Sequence, residues 1–413
     1  MSQEKFQERM QITEAAIRHE ETDRIPIWCQ YGNTPFILSN GAVTFKDSMY
    51  HYEKAAQAII QFHQDFQPDA QLANLISGRV EEIAGTKVID WPGRPGSCLD
   101  DNSLYQVLET DLMSGKEYQD FFTDFTGFLL HKYIPRAFPG LEGLGTILNP
   151  APTGYMYFSQ LGSLFNPKAV EAYEKLIEIA KENEKCTKAI QQMQGTLFGM
   201  GFPPLLTGVG LVPYDTLSNY FRGTMGIFKD LASRPKKILK AVHMIADLQI
   251  RNFQYFRYVQ MPVKRVMFWM HKGMDGFMSA EQYEKLYWEP FLKVIYALVD
   301  MGVTPIIYTE GPYHTRLEQM TGLPAGKCVV HFEKIDLKKA KETIGKDTCI
   351  TANFPIYLLE YGTKEEVKEE VKRQIDIGAP GGGFIFETNA SIQNVKRENL
   401  ETMYDTVRDY GEK

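Results

Sequence analysis

Between residues 265 and 410, short apolar runs alternate with longer stretches whose apolar positions recur every three or four residues. The apolar runs are VMFWM (266–270), VTPIIY (303–308), KCVVHF (327–332), DTCITAN (347–353) and GGFIFE (382–387), and each predicts a buried strand. The stretches between them predict helices over 280–300, which Ser279 would cap, over 336–345, 364–376 and 396–410, with a helix-like segment ending at 321. In 364–376 Glu and Lys fall four apart, which supports an exposed helical face. Upstream, the spacing predicts an amphipathic helix over Glu4–His19, a short strand at RIPIW (24–28), a helix near 116–130 and long helices over 167–195 and 233–258.

Apolar strands alternating with helices imply a parallel sheet covered on both faces. Five such units in succession, with room for three more upstream, favour a (β/α)8 TIM-type barrel over an open doubly wound sheet. No GxGxxG follows an early strand, so the dinucleotide fingerprint of the open sheet is missing. The expected organisation is an N-terminal helical arm (1–21) and one barrel domain (22–413). The least regular stretch, 85–165, runs through Trp91-Pro92-Gly93-Arg94-Pro95-Gly96 and Pro- and Gly-rich connections to Tyr155, and reads as an elaboration over the barrel mouth.

Each strand stays apolar until its end and then delivers an ionisable or amide group. In order these are His271, Tyr308 with Glu310, His331 with Glu333, Asn353, and Glu387 with Asn389. In a barrel of this type the catalytic groups sit at those ends. The candidate catalytic residues are Glu310, His271 and Tyr308, and the candidate substrate-binding residues are Cys29, Tyr31, Asn353 and Glu387. Glu310 and His271 are also the candidate ligands for a divalent metal such as zinc. Each has a plainer reading. Glu310 sits where it would cap a following helix, and a lone cysteine such as Cys29 is usually inert. Met267, Met270, Met274 and Met278 read first as core. Pro380-Gly381-Gly382-Gly383 reads as a tight turn more readily than a phosphate loop. His51, His63, His131 and His243 fall on helical stretches and read as structural or solvated.

Composition narrows the function. The 413 residues carry a net charge of −7 with 44% hydrophobic content, which argues against a nucleic-acid partner. No run approaches the ~18 apolar residues of a membrane span, and the polar start MSQEKFQERMQ lacks the apolar core of a signal peptide. Five widely spaced cysteines form no CxxC pair, and the eight histidines form no HExxH cluster, so a cytoplasmic protein with reduced thiols is expected.

Three stretches together resemble the uroporphyrinogen decarboxylase superfamily. DRIPIW (23–28) resembles its opening strand. PYDTLSNYFRGTMGIFKDLASRPKKILKA (213–241) resembles its helical signature, with Asp215, Leu217, Arg222, Gly223, Gly226, Asp230, Arg234 and Pro235 in register. The order from GVTPIIY through ITANFP to GGFIFETNASIQNVKRENLETM follows the family strand by strand. The resemblance implies a (β/α)8 barrel and one of two chemistries. True decarboxylases meet the carboxylates of a tetrapyrrole with a basic opening loop; here that place reads WCQYGNTPF (28–36), without Arg or Lys. The other branch holds corrinoid-dependent methyltransferases, some of which bind zinc through a His-x-Cys and a later Cys to activate coenzyme M. The corresponding positions here read Tyr308-Thr309-Glu310-Gly311 and fall near Ala390, which departs from a thiolate zinc site and a coenzyme M acceptor.

The resemblance therefore implies a methyltransferase demethylating a methoxylated, aromatic or other small methylated compound. The methyl group would pass to a corrinoid carried by a separate corrinoid-binding protein, with Tyr308, Glu310 or His271 as the acid for the leaving oxygen. Homodimerisation stays open. The rivals are a cofactor-free decarboxylase of another substrate, for which Arg79, Arg222 and Lys272 are the cations to examine, and a non-catalytic corrinoid carrier.

Overall fold

The computed structural model describes residues 2–72, 75–147, 162 and 164–412. Six parallel strands pair in chain order: β1 (Gly208–Leu211), β2 (Arg265–Met270), β3 (Thr304–Pro312), β4 (Val329–Lys334), β5 (Cys349–Thr351) and β6 (Phe384–Ile385). A helical connection follows each of β2 to β6. The longest are the continuous helical run over 280–300, which Ser279 caps as expected, and the helices Lys364–Gly378 and Arg397–Gly411.

Alternation along the strands separates two apolar layers. Val266, Phe268 and Met270 of β2, Ile307 of β3, Val330 and Phe332 of β4 and Ile350 of β5 pack in the large core shared with the helices. Met267, Ile306, Tyr308, Val329, Cys349 and Ile385 belong to a second cluster with Trp28, Ala70 and Leu205 from the first half of the chain. The N-terminal helix α1 (Ser2–Ile17) contributes Ala16 and Ile17 to that inner cluster. Met267, Met270 and Met278 are buried, which matches their reading as core.

Upstream of β1, pairing continues as single bridges. The Trp28 amide donates to the Phe386 carbonyl at 2.9 Å, and the Phe386 amide donates to the Pro26 carbonyl at 2.8 Å. Asp69 N–H donates to Ile27 O, and Leu205 N–H to Gln71 O, each at 2.8 Å. RIPIW is therefore a bridged segment where a strand was expected, because Pro26 has no N–H to extend a ladder. The helix expected near 116–130 is broken: Asp124 leaves helical geometry (φ −145°, ψ 83°), and its carboxylate accepts the Gly127 N–H at 2.8 Å. Asp competes in this way with a continuing helix. A two-stranded ribbon joins Ile89–Asp90 to Gln106–Val107. The part of 85–165 near Tyr155 lies outside the described residues.

The strand expected to end at Tyr308 runs on to Pro312, so Glu310 lies within β3. The next helix begins only at Leu317, and Glu310 does not cap it. Gly381, Gly382 and Gly383 all have φ between 67° and 78°, a conformation glycine adopts at little cost, and form a tight turn as anticipated.

Phe268 is fully buried against Phe253 and Phe291. Phe268→Ala is expected to cost about 3–5 kcal/mol in denaturant unfolding; a loss under about 1 kcal/mol would contradict this packing.

Candidate functional site

The strand ends open into a cavity of about 880 Å³. Its wall is mainly apolar, with Phe45, Leu72, Leu75, Tyr105, Val209 and Trp269 among its lining residues. Tyr105, Val107 and Glu109, from the stretch that includes the ribbon, also line the cavity. The polar groups His271, Lys272 and Glu310 line it at the ends of β2 and β3.

One buried carboxylate organises that end of β2. Asp215 is fully buried and accepts the backbone N–H of His271 at 2.8 Å, that of Lys272 at 2.9 Å and the Tyr287 hydroxyl at 2.6 Å. Burial pushes the Asp215 carboxyl up, while His271, Tyr287 and the two amides hold it down. Directly after Asp215 the chain forms a π-helix over Thr216–Arg222, a geometry frequent at functional sites. It presents Thr216, Asn219 and Tyr220 to the cavity. Asn219 Nδ2 lies 2.6 Å from His271 Nδ1. With the amide donating there, a neutral imidazole keeps its proton on Nε2, which faces Glu310 Oε2 at 3.4 Å.

Glu310 sits at an irregularity in β3, where the register with β4 shifts between Thr309 and Pro312. Gly311, at φ 84°, allows the turn, and its N–H donates to Glu333. Such a bulge re-aims a side chain. Glu310 is half-exposed to the cavity. Removal from water pushes its carboxyl above the ordinary carboxylate range; His271 and Lys272 pull it back, while Glu333 and Asp215 push it further up.

The remaining sequence candidates fall in three places. Tyr31 lines the cavity, with its hydroxyl donating to the Leu72 carbonyl. Tyr308 and Glu387 lie one level deeper, out of the lining. The Tyr308 ring stacks on His331 with centroids 3.9 Å apart, and burial drives its phenol well above the ordinary value. Glu387 Oε2 is 3.0 Å from His331 Nδ1, and both residues are buried. Cys29 and Asn353 are held by the scaffold. Burial raises the Cys29 thiol to about 12. The Asn353 amide donates to the Ile335 carbonyl at 3.1 Å, and its backbone N–H donates to Gln374. Among the described residues no group of three or more His, Cys, Asp or Glu is placed to hold a metal ion, so His271 and Glu310 stand as a two-donor pair.

Sequence reasoning singled out neither Asn219 nor Glu109 for the site. Asn219 was visible only as a position four residues after Asp215, on the same helical face. Glu109, in the least regular stretch, gave no signal at all.

A parallel-sheet α/β protein with its polar groups gathered at the strand ends is the class defined here. Residues 153–410, more than half of the chain, match the family described as uroporphyrinogen decarboxylase (URO-D), and the chain belongs to that family. It is similar to the uroporphyrinogen decarboxylase of Geobacter sulfurreducens, 30% identical over 140 residues. That match covers 33% of this chain and 40% of the relative, so it spans well under half of that protein. The fold is similar to that of a methyltransferase from Methanosarcina mazei, with a TM-score of 0.62 over 97% of this chain and 98% of the other, at 14% identity. At that identity the likeness is one of fold.

Asp215→Asn would replace an acceptor of three hydrogen bonds by a group whose NH2 opposes the donors. It is expected to destabilise the protein by about 2–3 kcal/mol in urea unfolding. Unchanged stability would show that Asp215 does not hold the His271–Lys272 turn.

Proposed function

We propose that this protein is a methyltransferase that demethylates a methoxylated aromatic compound and passes the methyl group to a corrinoid carried by a separate protein. The observation that carries this reading is the Glu310–His271 pair, 3.4 Å apart, at the edge of a large and mainly apolar cavity. An aryl ether loses its methyl group readily only if the leaving oxygen is protonated, because phenolate is a reluctant leaving group. Glu310, with its carboxyl raised by its removal from water and placed at the cavity beside His271, is positioned to donate a proton to that oxygen. His271 Nε2 then meets the carboxylate that forms. The apolar wall holds the ring and keeps water from the departing oxygen. The corrinoid supplies a strongly nucleophilic reduced cobalt as methyl acceptor. Exposed apolar residues near the mouth, including Tyr105, Val107 and Tyr220, offer a surface for its carrier.

Further support comes from the family and from the methyltransferase among its structural neighbours. We also read the bridges from Phe386 through Ile27, Asp69 and Gln71 to Leu205 as closing an eight-stranded (β/α)8 barrel, with 22–413 as one domain and part of 85–165 over its mouth. A pair of donors does not complete a zinc site, which takes three protein ligands and an open position.

The decarboxylase alternative would require cations free to meet substrate carboxylates. Arg222 is buried against Asp230 (2.6 Å) and Asp111 (2.5 Å), and Arg79 pairs with Glu82. Lys272 pairs with Glu109 at 2.5 Å. None of the three candidates is free.

Glu310→Gln keeps the size and the hydrogen-bonding capacity of the side chain but cannot donate a carboxyl proton. Methyl transfer from a methoxyarene to the reduced corrinoid protein, followed by the cobalt absorption spectrum, should fall by about a hundredfold or more. In the wild type the protonated carboxyl is the active form. Activity should therefore decline as pH rises through a value above the ordinary carboxylate pKa of about 4.3, and the variant should lose that limb. Loss of less than about threefold, with the limb retained, would remove Glu310 as the acid.

A further inference from the structure

We propose that the cavity selects uncharged methoxyarenes over carboxylated ones, and that the Glu109–Lys272 ion pair is the selecting element. This rests on the aryl methyl ether reading above and names the substrate class within it.

Among the described residues, the charged side chains that line the cavity are Glu109, Lys272 and Glu310, with His271 as their titratable neighbour. Lys272 is the single ammonium among these lining residues, and it is occupied. Its Nζ donates to Glu109 Oε1 at 2.5 Å and to Thr224 Oγ1 at 2.9 Å, and it lies 5.7 Å from the centre of the Phe277 ring. An ammonium has three N–H donors, so these partners leave little for a ligand. Glu109 in turn accepts from the Thr224 hydroxyl and backbone amide, which holds it in place. Salt-bridging and these hydrogen bonds keep its carboxyl low against the cost of partial burial.

With Glu109 and Lys272 cancelling, the balance at the mouth is set by Glu310. With His271 neutral, it is negative when Glu310 is ionised and zero when Glu310 is protonated. In both of these states the described lining residues offer no unpaired cation to an incoming carboxylate. Such a ligand would lose its hydration, find no bidentate partner and face two acidic side chains. A neutral ring of the same size packs against the apolar part of the wall and brings no charge to desolvate.

The test compares two ligands that differ in charge but hardly in shape, 4-hydroxy-3-methoxybenzoate and 4-hydroxy-3-methoxybenzamide. Binding to the whole protein at pH 7 is measured by calorimetry, alongside methyl transfer from each. The amide should bind at least about tenfold more tightly, which is one RT ln 10 step. Glu109→Gln, which frees Lys272, should narrow that ratio by about threefold or more, and Lys272→Gln, which leaves Glu109 unopposed, should widen it. Equal or tighter binding of the benzoate to the wild type would overturn the selection while leaving the aryl ether reading standing. A ratio unmoved by both variants would overturn the role of the ion pair. If neither compound binds and neither gives up its methyl group, the aryl ether reading fails and this inference fails with it.

Discussion

Asp215 is the fixed point from which the candidate site is built. A carboxylate with no exposure to water is costly unless its lone pairs are occupied. Here two successive backbone amides and a tyrosine hydroxyl occupy them. Because those amides belong to His271 and Lys272, satisfying one buried charge also sets the direction of both side chains. His271 turns to Glu310 and Lys272 to Glu109. The π-helix that starts immediately after Asp215 adds Asn219 at the other ring nitrogen of the imidazole, Nδ1. The polar part of the mouth thus follows from one desolvated group and the chain that carries it.

Strand alternation explains how polar residues come to lie in the middle of an apolar sheet. Residues two apart on a strand share a face. On β3, Ile306, Tyr308 and Glu310 therefore form one column running from the inner cluster to the cavity. On β4, Val329 and His331 form the neighbouring column, with Tyr308 and His331 stacked across it. Polarity increases toward the strand ends, where the side chains reach the cavity. In the deeper pair, Glu387 Oε2 meets His331, whose ring also has Thr351 and the Asn389 carbonyl as partners, while Glu387 Oε1 is buried without a hydrogen-bond partner.

That geometry also explains what was legible in the sequence. The five apolar runs between 266 and 387 coincide with β2 to β6, because a strand buried on both faces must be continuously apolar. Boundaries were less visible. Glu310 lies inside β3, where a bulge and Gly311 carry the strand four residues past Tyr308. RIPIW pairs only through bridges because of Pro26. The ring of strand-end groups was visible as a pattern, but its two levels were not. Two residues along one column separate the buried Tyr308 from Glu310, which meets the cavity. Glu109 and Asn219 reach the site through tertiary contacts from an irregular stretch and a π-helix, and neither leaves a local periodic signal.

The proposed demethylation depends on where the ether oxygen sits. A crystal structure of the protein with bound 4-hydroxy-3-methoxybenzamide measures this directly. The ring is expected against the apolar wall, with the methoxy oxygen within about 2.6–3.2 Å of a Glu310 carboxyl oxygen, the reach required of a proton donor. A ligand bound in the cavity with its methoxy group directed away from Glu310, or bound elsewhere on the molecule, would contradict it.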